Sequence, residues 1–290
     1  MNNLDKAFYV AVESGDGTGK STLVKKLVKY FEGYFFKKYG KDDLVAEFEE
    51  PSDGEIGQLI KHRFFSKDIK TMPETYALLY TADRLEVCEL IKKANQHQKL
   101  IISSRCKLST IAYQSAAGVP VNKLIELNDS ALDPHLTIVL HCSLETGIER
   151  LAKSGKKQDE FENNVDFQNK VYEAYEQLST TNNEVIELLN IHVVDAEQDE
   201  ESVFRECKAL ILKELEMREK KPRSIEHNFK KIVDTEELKD SRYYDRLAKQ
   251  IEHDIPERGL GQSIPFHPLT NEEKMGPLLK LPKKTNKINT

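Results

Sequence analysis

Short runs of apolar residues alternate along the chain with longer segments in which hydrophobic positions recur every three or four residues. The short runs are typical of buried strands, and the recurring pattern is typical of amphipathic helices. Strands are predicted at 7–13, 43–49, 99–104, 136–142 and 191–196. Helices are predicted at 21–35, 55–66, 73–97, 120–129, 144–153, 164–181 and 200–219. This alternation predicts an α/β fold with a parallel sheet covered by helices on both faces.

The segments that follow the first three strands are expected to lie close together. In open α/β sheets, ligands bind beside the carboxyl ends of the strands. Residues 14–20, 49–54 and 104–110 come directly after predicted strands or at their ends. We therefore expect these segments to line one cleft at one edge of the sheet.

The pattern changes near residue 216. Residues 216–290 hold 16 Lys+Arg and 13 Asp+Glu, and five of the ten prolines lie between Pro256 and Pro282. Residues 236–254 have the composition of a charged helix, and the rest is typical of loop or flexible tail. We expect one domain over residues 1–215 and a charged, helical or irregular extension over residues 216–290.

Composition and charge narrow the classes of function. The net charge of -6 argues against attraction to nucleic acid or to an anionic membrane surface. Apolar stretches all fall well short of 18 residues, and the N-terminus lacks the layout of a signal peptide, so no membrane partner is expected. The four cysteines are far apart in the sequence, which favours reduced thiols in a cytoplasmic protein: Cys88, Cys106, Cys142 and Cys207.

The segment "SGDGTGKST" at 14–22 follows the first strand and opens the first helix. It differs from the phosphate-binding pattern G-x-x-x-x-G-K-[ST] in that Ser14 occupies the first glycine position. In such a loop, successive backbone N–H groups and the positive end of the helix hold phosphate oxygens. Ser14 would weaken the loop only if its position needed a positive φ or a very close approach. We predict that the loop binds a nucleotide.

The loop motif predicts roles for individual residues. Lys20 would reach the outer phosphates, the Ser21 hydroxyl would ligate Mg²⁺, and Gly17 and Gly19 would keep side chains out of the cradle. ATP and Mg²⁺ are the expected cofactors. The predicted ATP-binding residues of the loop are Gly15, Asp16, Gly17, Thr18, Gly19, Lys20, Ser21 and Thr22.

A set of motifs in the same order resembles the thymidylate kinase family. "ESGDGTGKST" at 13–22 is similar to the family's "EGxDGxGKST". Further matches are "EEPSDGEIGQLIK" (49–61), "LLYTADRLEV" (78–87), "SSRCKLSTIAYQ" (103–114) and "DPHLTIVLHCSLETGIERL" (133–151). The resemblance covers residues 7 to about 215. It implies a P-loop NTPase fold, a three-layer α/β/α sandwich with a five-stranded parallel sheet, which here carries a C-terminal extension.

The resemblance also implies an activity. These enzymes transfer the γ-phosphoryl group of ATP to a deoxynucleoside monophosphate, usually dTMP, for deoxynucleotide biosynthesis, and they are commonly homodimers. The expected partners are therefore nucleotide substrates and a second copy of the chain. Phosphoryl transfer depends on positioning and charge neutralisation more than on covalent participation by the protein.

Catalytic and substrate-binding residues are carried over from the matching motifs. Asp16, Lys20 and Arg105 are the implied catalytic residues. Asp16 lies near the acceptor phosphate and contacts the metal through water, and the guanidinium of Arg105 grips the acceptor phosphate. Arg150, which precedes a lid at about 153–163, would reach the ATP or stack on its adenine.

Further residues are implied for the base and sugar of the acceptor. Tyr80 would stack on the base, Arg84 would hydrogen-bond to it, and Tyr113 would crowd the 2′ position of the sugar. Ser109 and Gln114 would line the same pocket. Without the resemblance, Tyr80 and Tyr113 would be interpreted as core aromatics, and Arg84 as the partner of Asp83 or Glu86 in an ion pair on a helix surface.

The chain departs from the family pattern at several charged positions. Glu49 replaces an arginine, Ser104 replaces an aspartate that helps to order the water shell of the metal, and His141 replaces a second aspartate. Glu160 stands where relatives have a lid arginine. Relatives without that arginine usually carry one at the position of Gly17. Lys153, Lys156 and Lys157 either substitute for it as point charges or form a solvated surface.

These departures leave three hypotheses open. The chain is an active kinase with rearranged cations that acts on dTMP or on another monophosphate such as dUMP. Alternatively, it is a nucleotide-binding regulator whose extension engages a partner. A kinase that acts on a modified base or on a nucleic-acid end is disfavoured because residues 1–215 are acidic.

Overall fold

The computed structural model describes residues 6–65, 72–154, 164–180 and 189–220. Five parallel strands form one sheet in the order β2-β3-β1-β4-β5. The strands are β1 (Phe8–Ser14), β2 (Val45–Glu49), β3 (Leu100–Ser104), β4 (Leu136–His141) and β5 (Ile191–Asp195). Each coincides with a predicted strand, so the predicted parallel α/β fold is confirmed.

The helices of the described residues lie between and after the strands. They are α1 (Lys20–Tyr39), α2 (Glu55–Phe65), α3 (Pro73–Ala94), α4 (Lys107–Ala116), α5 (Val121–Leu127), α6 (Leu144–Ser154), α7 (Val165–Thr180) and α8 (Glu200–Lys220). The hydrophobic periodicity predicted all of them except α4, whose bounds it did not define. None of these helices is both long and apolar enough to span a membrane.

Helices cover the sheet on both faces, which gives three layers. One cluster of buried side chains joins α1 and α8 to the sheet and includes Leu27, Phe31 and Cys207. On the other face, α3, α4 and α7 pack against the sheet through clusters that include Ile111 and Val171. Burial of these apolar surfaces is the main favourable contribution to the stability of the fold.

Alternation along the strands sends neighbouring side chains to opposite faces. Val10 and Val12 of β1 pack into the cluster under α1, whereas Tyr9 and Ala11 pack on the opposite face. By the same alternation, Glu13 points toward α4 and α7, and Ser14 points toward the α1 face. The strand therefore delivers two adjacent polar residues to two different sides of the sheet.

The parallel register aligns the carboxyl ends of the central strands. Ser104 of β3 pairs with Val12 of β1 on one side and with Glu49 of β2 on the other. Residues 14–20, 49–54 and 104–110 consequently meet at one edge, as the sequence predicted. Of the predicted lid, residues 155–163 with Lys156, Lys157 and Glu160 lie outside the described residues, as does the extension from residue 221 onward.

Candidate active site

The phosphate loop tolerates Ser14 because its position is the last residue of β1. Positive φ angles among the described non-glycine residues occur only at Arg105 and Asn190. Ser14 is fully buried within the strand. Since the backbone there is ordinary, a serine side chain causes no backbone strain at this point. The expectation that the first glycine is dispensable here agrees with the geometry.

Glycine is required at two other positions of the loop. Gly17 and Gly19 have φ angles of 82° and 92°, in the left-handed region that side chains disfavour. A Cβ atom at Gly17 would also collide with the carbonyl oxygen of Gly147 in α6. No space is therefore left for the arginine that some relatives carry at this position.

Helix α7 holds the phosphate loop from the side. The Tyr172 hydroxyl donates a hydrogen bond of 2.6 Å to the backbone carbonyl of Asp16, and the Gln168 amide donates one of 3.1 Å to the Asp16 carboxylate. The ring of Tyr172 packs against Gly15, where a Cβ atom would clash with it. These contacts fix the position of the loop against α7.

Arg105 is presented to the phosphate loop by an unusual backbone conformation. Its φ angle is 78°, and its N–H donates a hydrogen bond of 3.0 Å to the carbonyl of Val12. The guanidinium forms an ion pair with Asp16 at 3.0 Å and lies 5.1 Å from the centre of the Tyr113 ring. Strained residues of this kind persist where the surrounding structure holds them, and they concentrate at functional sites.

A buried carboxylate fixes the segment that carries Arg105. Glu13 is fully buried and accepts hydrogen bonds from the N–H groups of Cys106 (2.7 Å) and Ser109 (3.1 Å). It also accepts bonds from the hydroxyls of Ser109 (2.5 Å) and Tyr175 (2.9 Å). Because Cys106 provides no side-chain cap for α4, the carboxylate of Glu13 fills that role from another strand.

Arg84 lies inside the protein and not on a helix surface. Only 2% of its surface is exposed, and it contacts Glu50 at 2.5 Å and the side-chain oxygen of Asn128 at 2.6 Å. A third bond of 3.0 Å reaches the backbone carbonyl of Cys106. Its Nε atom is buried and has no hydrogen-bond partner among the described residues. The surface ion pair with Asp83 or Glu86 is therefore not formed.

Asp83 holds the segment that follows β2. Its carboxylate accepts hydrogen bonds from the N–H (2.8 Å) and the hydroxyl (2.5 Å) of Ser52. These bonds anchor the segment after β2 to α3. The motif "ADR" thus places its two charged residues in two different networks beneath the cleft.

Several charged side chains act on Lys20 at the start of α1. Desolvation and repulsion from Arg105 lower the pKa of Lys20 to about 8, although Asp16, Glu13 and Glu49 act in the opposite direction. An anion placed between Lys20 and Arg105 would relieve both unfavourable effects. The loop is therefore electrostatically suited to phosphate.

A cavity of about 320 Å³ adjoins the phosphate loop on the side of α6 and α8. Thr18, Gly19, Thr22 and Arg150 line it together with Gln198. Arg150 is fixed there by a hydrogen bond of 2.7 Å to the carbonyl of Ala196. The position and size of this cavity suit the base and ribose of a nucleotide whose phosphates lie in the loop.

The residues near the loop are compatible with Mg²⁺. The described residues contain no group of three or more His, Cys, Asp or Glu side chains that could hold a metal ion. Mg²⁺ bound to nucleotides normally uses few protein ligands, together with phosphates and waters. The exposed Ser21 at the start of α1 and the nearby Asp16 fit that pattern.

The structure brings most of the implied residues to one place. Asp16, Ser109 and Tyr113 each contact Arg105, and Tyr80 lies within electrostatic range of it. Gln114 is buried on α4, and its side-chain oxygen has no hydrogen-bond partner in the part of the chain that the structure describes. Sequence reasoning missed the supporting residues Glu13, Glu50, Asn128, Gln168, Tyr172 and Tyr175. Only Glu13 had a visible signal, a carboxylate at the end of an apolar strand.

Comparison with known proteins assigns these features to a family. A family model described as Thymidylate kinase matches residues 12–207. A probable thymidylate kinase of Caldivirga maquilingensis is 35% identical over 170 residues, which are 58% of this chain and 78% of that protein. One from Thermococcus gammatolerans is 33% identical over 215 residues, which are 71% of this chain and 97% of that protein. A thymidylate kinase of Maridesulfovibrio salexigens is 33% identical over 220 residues, which are 71% of this chain and 96% of that protein.

Replacing Gly17 by alanine is expected to distort the phosphate loop. The substitution combines a positive φ with a collision against Gly147, and we expect a loss of about 2 kcal/mol or more in the free energy of unfolding. Nucleotide affinity, measured by calorimetry, should fall as well. Gly33→Ala is the matched control, because Gly33 is helical with free space around it and alanine should stabilise it by about 0.5–1 kcal/mol. Equal effects of the two substitutions would mean that neither the backbone at Gly17 nor its contact with Gly147 restricts this position.

Proposed function

Because the chain belongs to the thymidylate kinase family, an ATP-dependent phosphotransferase family, we propose that its site moves the γ-phosphoryl group of ATP onto dTMP through the residues described above. The family, the parallel α/β fold and the kinase activity that the sequence predicted are confirmed by the family match. The observation that carries the residue assignment is the Arg105–Asp16 pair, which stands beside Lys20 at the phosphate loop.

The donor nucleotide is assigned to the loop and the adjoining cavity. The backbone N–H groups of residues 15–22 hold the phosphates, and Lys20 neutralises the charge of the outer ones. The base occupies the cavity beside Arg150 and Gln198. Mg²⁺, bound through Ser21 and through water to Asp16, would neutralise charge on the phosphates during transfer.

The acceptor is assigned to the opposite side of Arg105. The guanidinium binds the phosphate of dTMP and aligns it with the γ-phosphoryl group, as in-line transfer requires. The Arg105 guanidinium lies 5.1 Å from the centre of the Tyr113 ring, which is assigned to the sugar. Tyr80, which acts electrostatically on Arg105, is assigned to the base. The buried Nε of Arg84 and the side-chain oxygen of Gln114 form no hydrogen bond with any described residue, so both are assigned to recognition of the base.

A homodimer is supported by an apolar surface on two neighbouring helices. Leu78 and Leu85 are 56% and 38% exposed and lie two helical turns apart on α3. Leu59 of α2, which packs beside α3, is also exposed. Exposed apolar residues grouped in this way are typical of protein–protein interfaces. A cytoplasmic location is proposed from the four free and buried cysteines.

Purified protein with MgATP should phosphorylate dTMP more efficiently than dUMP, dGMP or ribonucleotides, as measured by ADP formation. Lys20→Ala should lower kcat/KM about 10²- to 10³-fold, because one preorganised charge at the phosphates is lost. Lys25→Ala is the matched control, since Lys25 is exposed on the same helix. If folded protein turns over none of the monophosphates, the proposed function is wrong.

Nucleotide affinity should fall as pH rises through about 8. The surroundings of Lys20 lower its pKa to about 8, and bound phosphate would raise it again, so binding would take up a proton above that pH. Calorimetry at about pH 7.5–9.5 in two buffers that differ in protonation enthalpy measures this uptake. Lys20→Arg remains charged and should show no uptake in this range. Equal uptake by wild type and Lys20→Arg would mean that another group titrates.

Charges placed on the proposed dimer surface should separate the subunits. Leu78→Glu combined with Leu85→Glu is expected to yield monomers in analytical ultracentrifugation, because two charges would be buried without partners. Met217→Glu on α8 is the control, since Met217 is 41% exposed on the other face of the sheet. A doubly substituted protein that is still dimeric would place the interface elsewhere.

A further inference from the structure

Glu49, Ser104 and Ser14 project from the same face of the sheet, the α1 face, at its carboxyl edge. In β2, Val45 packs toward α1 whereas Ala46 and Phe48 pack on the opposite face, so Glu49 points to the α1 face. The same alternation in β3 and β1 directs Ser104 and Ser14 to that face, because Ile102 and Val12 pack there. This is the face on which α1 begins with Lys20 and Ser21.

Glu49 and Ser104 are direct neighbours across two strands. They occupy paired positions in the β2–β3 register, and the N–H of Glu50 donates a hydrogen bond of 3.0 Å to the carbonyl of Ser104. Paired residues on one face of a sheet have Cβ atoms about 5 Å apart. A group that approaches the Ser104 hydroxyl therefore comes within reach of the Glu49 carboxylate as well.

The two serine hydroxyls have no hydrogen-bond partner among the described residues. Ser14 and Ser104 are 0% and 3% exposed, and the Oγ atoms of both are buried and unpaired. Buried polar groups are almost always satisfied by protein or by ordered water, so an unpaired pair at a ligand site indicates a partner that comes with the ligand. Hydroxyl groups are suited to metal-bound water, which is a strong hydrogen-bond donor.

The charge of Glu49 completes this arrangement. Glu49 is exposed, and its negative charge acts on Lys20 at the start of α1. The family pattern has an arginine at position 49 and an aspartate at position 104. In this chain the carboxylate stands at position 49 of β2 instead of at the paired position 104 of β3, and position 49 no longer carries an arginine.

We propose that Glu49, with the hydroxyls of Ser104 and Ser14, holds the water shell of the Mg²⁺ that accompanies ATP. The proposal rests on the proposed function, since it assumes that MgATP occupies the phosphate loop. Glu49 is then a positioning residue for the metal, which it contacts through water. The metal in turn offsets the repulsion between Glu49 and the phosphate groups in the cleft.

The affinity of the protein for a metal ion tests the proposal without a measurement of catalysis. Mn²⁺ serves as the probe, and its dissociation constant from the full-length protein with a non-hydrolysable ATP analogue is measured from the EPR signal of free Mn²⁺. Glu49→Gln should weaken Mn²⁺ binding about 10- to 100-fold, which is typical for loss of an outer-shell partner. Glu47→Gln is the matched control, because Glu47 is exposed two residues earlier on the same face of β2. It should leave Mn²⁺ binding unchanged.

A second variant tests whether a carboxylate at position 104 can replace the one at position 49. Adding Ser104→Asp to Glu49→Gln returns a carboxylate to the register partner of residue 49, and Mn²⁺ affinity should recover. If Glu49→Gln binds Mn²⁺ as tightly as Glu47→Gln does, the proposal is overturned. It is also overturned if Glu49→Gln changes only the KM for dTMP, since Glu49 would then act on the acceptor alone. If the protein does not phosphorylate dTMP but Glu49→Gln still weakens Mn²⁺ binding as expected, the role of Glu49 stands and the proposed function is wrong.

Discussion

The buried carboxylate of Glu13 is the interaction on which the site depends. It joins β1 to the first turn of α4 and to Tyr175 of α7, so three elements distant in sequence share one anion. These hydrogen bonds connect the end of β1, where the phosphate loop begins, to the segment that carries Arg105. Because hydrogen bonds to a charged acceptor are about twice as strong as neutral ones, this connection fixes the spacing between the phosphate loop and the segment that carries Arg105.

The alternation of the strands divides the cleft into two chemical halves. Glu13 and Ser103 point away from α1 and support Arg105, the latter through a hydrogen bond of 2.6 Å from the Ser103 hydroxyl to the Arg105 carbonyl. Ser14 and Ser104, one position further along each strand, point to the start of α1. Under the proposed function, a period of two residues therefore separates the half proposed for the acceptor from the half proposed for the metal and the donor phosphates.

Local patterns were sufficient to predict much of the fold, and contacts over long distances were not predictable. The five strands and the phosphate loop have strong local signals, namely short apolar runs and glycines before Lys20. The bounds of α4 lacked such a signal because its cap is supplied by Glu13, which lies 93 residues before Cys106. Likewise, Arg84 follows Asp83 on a helix, and nothing nearby in sequence indicates that Glu50 and Asn128 surround it. The collision that excludes side chains at Gly17 arises from Gly147 of α6, which is also remote in sequence.

Under the proposed function, the ion pair between Arg105 and Asp16 would affect how tightly the acceptor is held. The guanidinium has an anionic partner within the protein at 3.0 Å, so a phosphate that binds Arg105 would compete with the carboxylate for the same donors. Binding would then exchange one anion for another, and part of its free energy would be spent on displacing Asp16. Return of the carboxylate would assist departure of the product, so affinity for the ligand would be lower and its release faster.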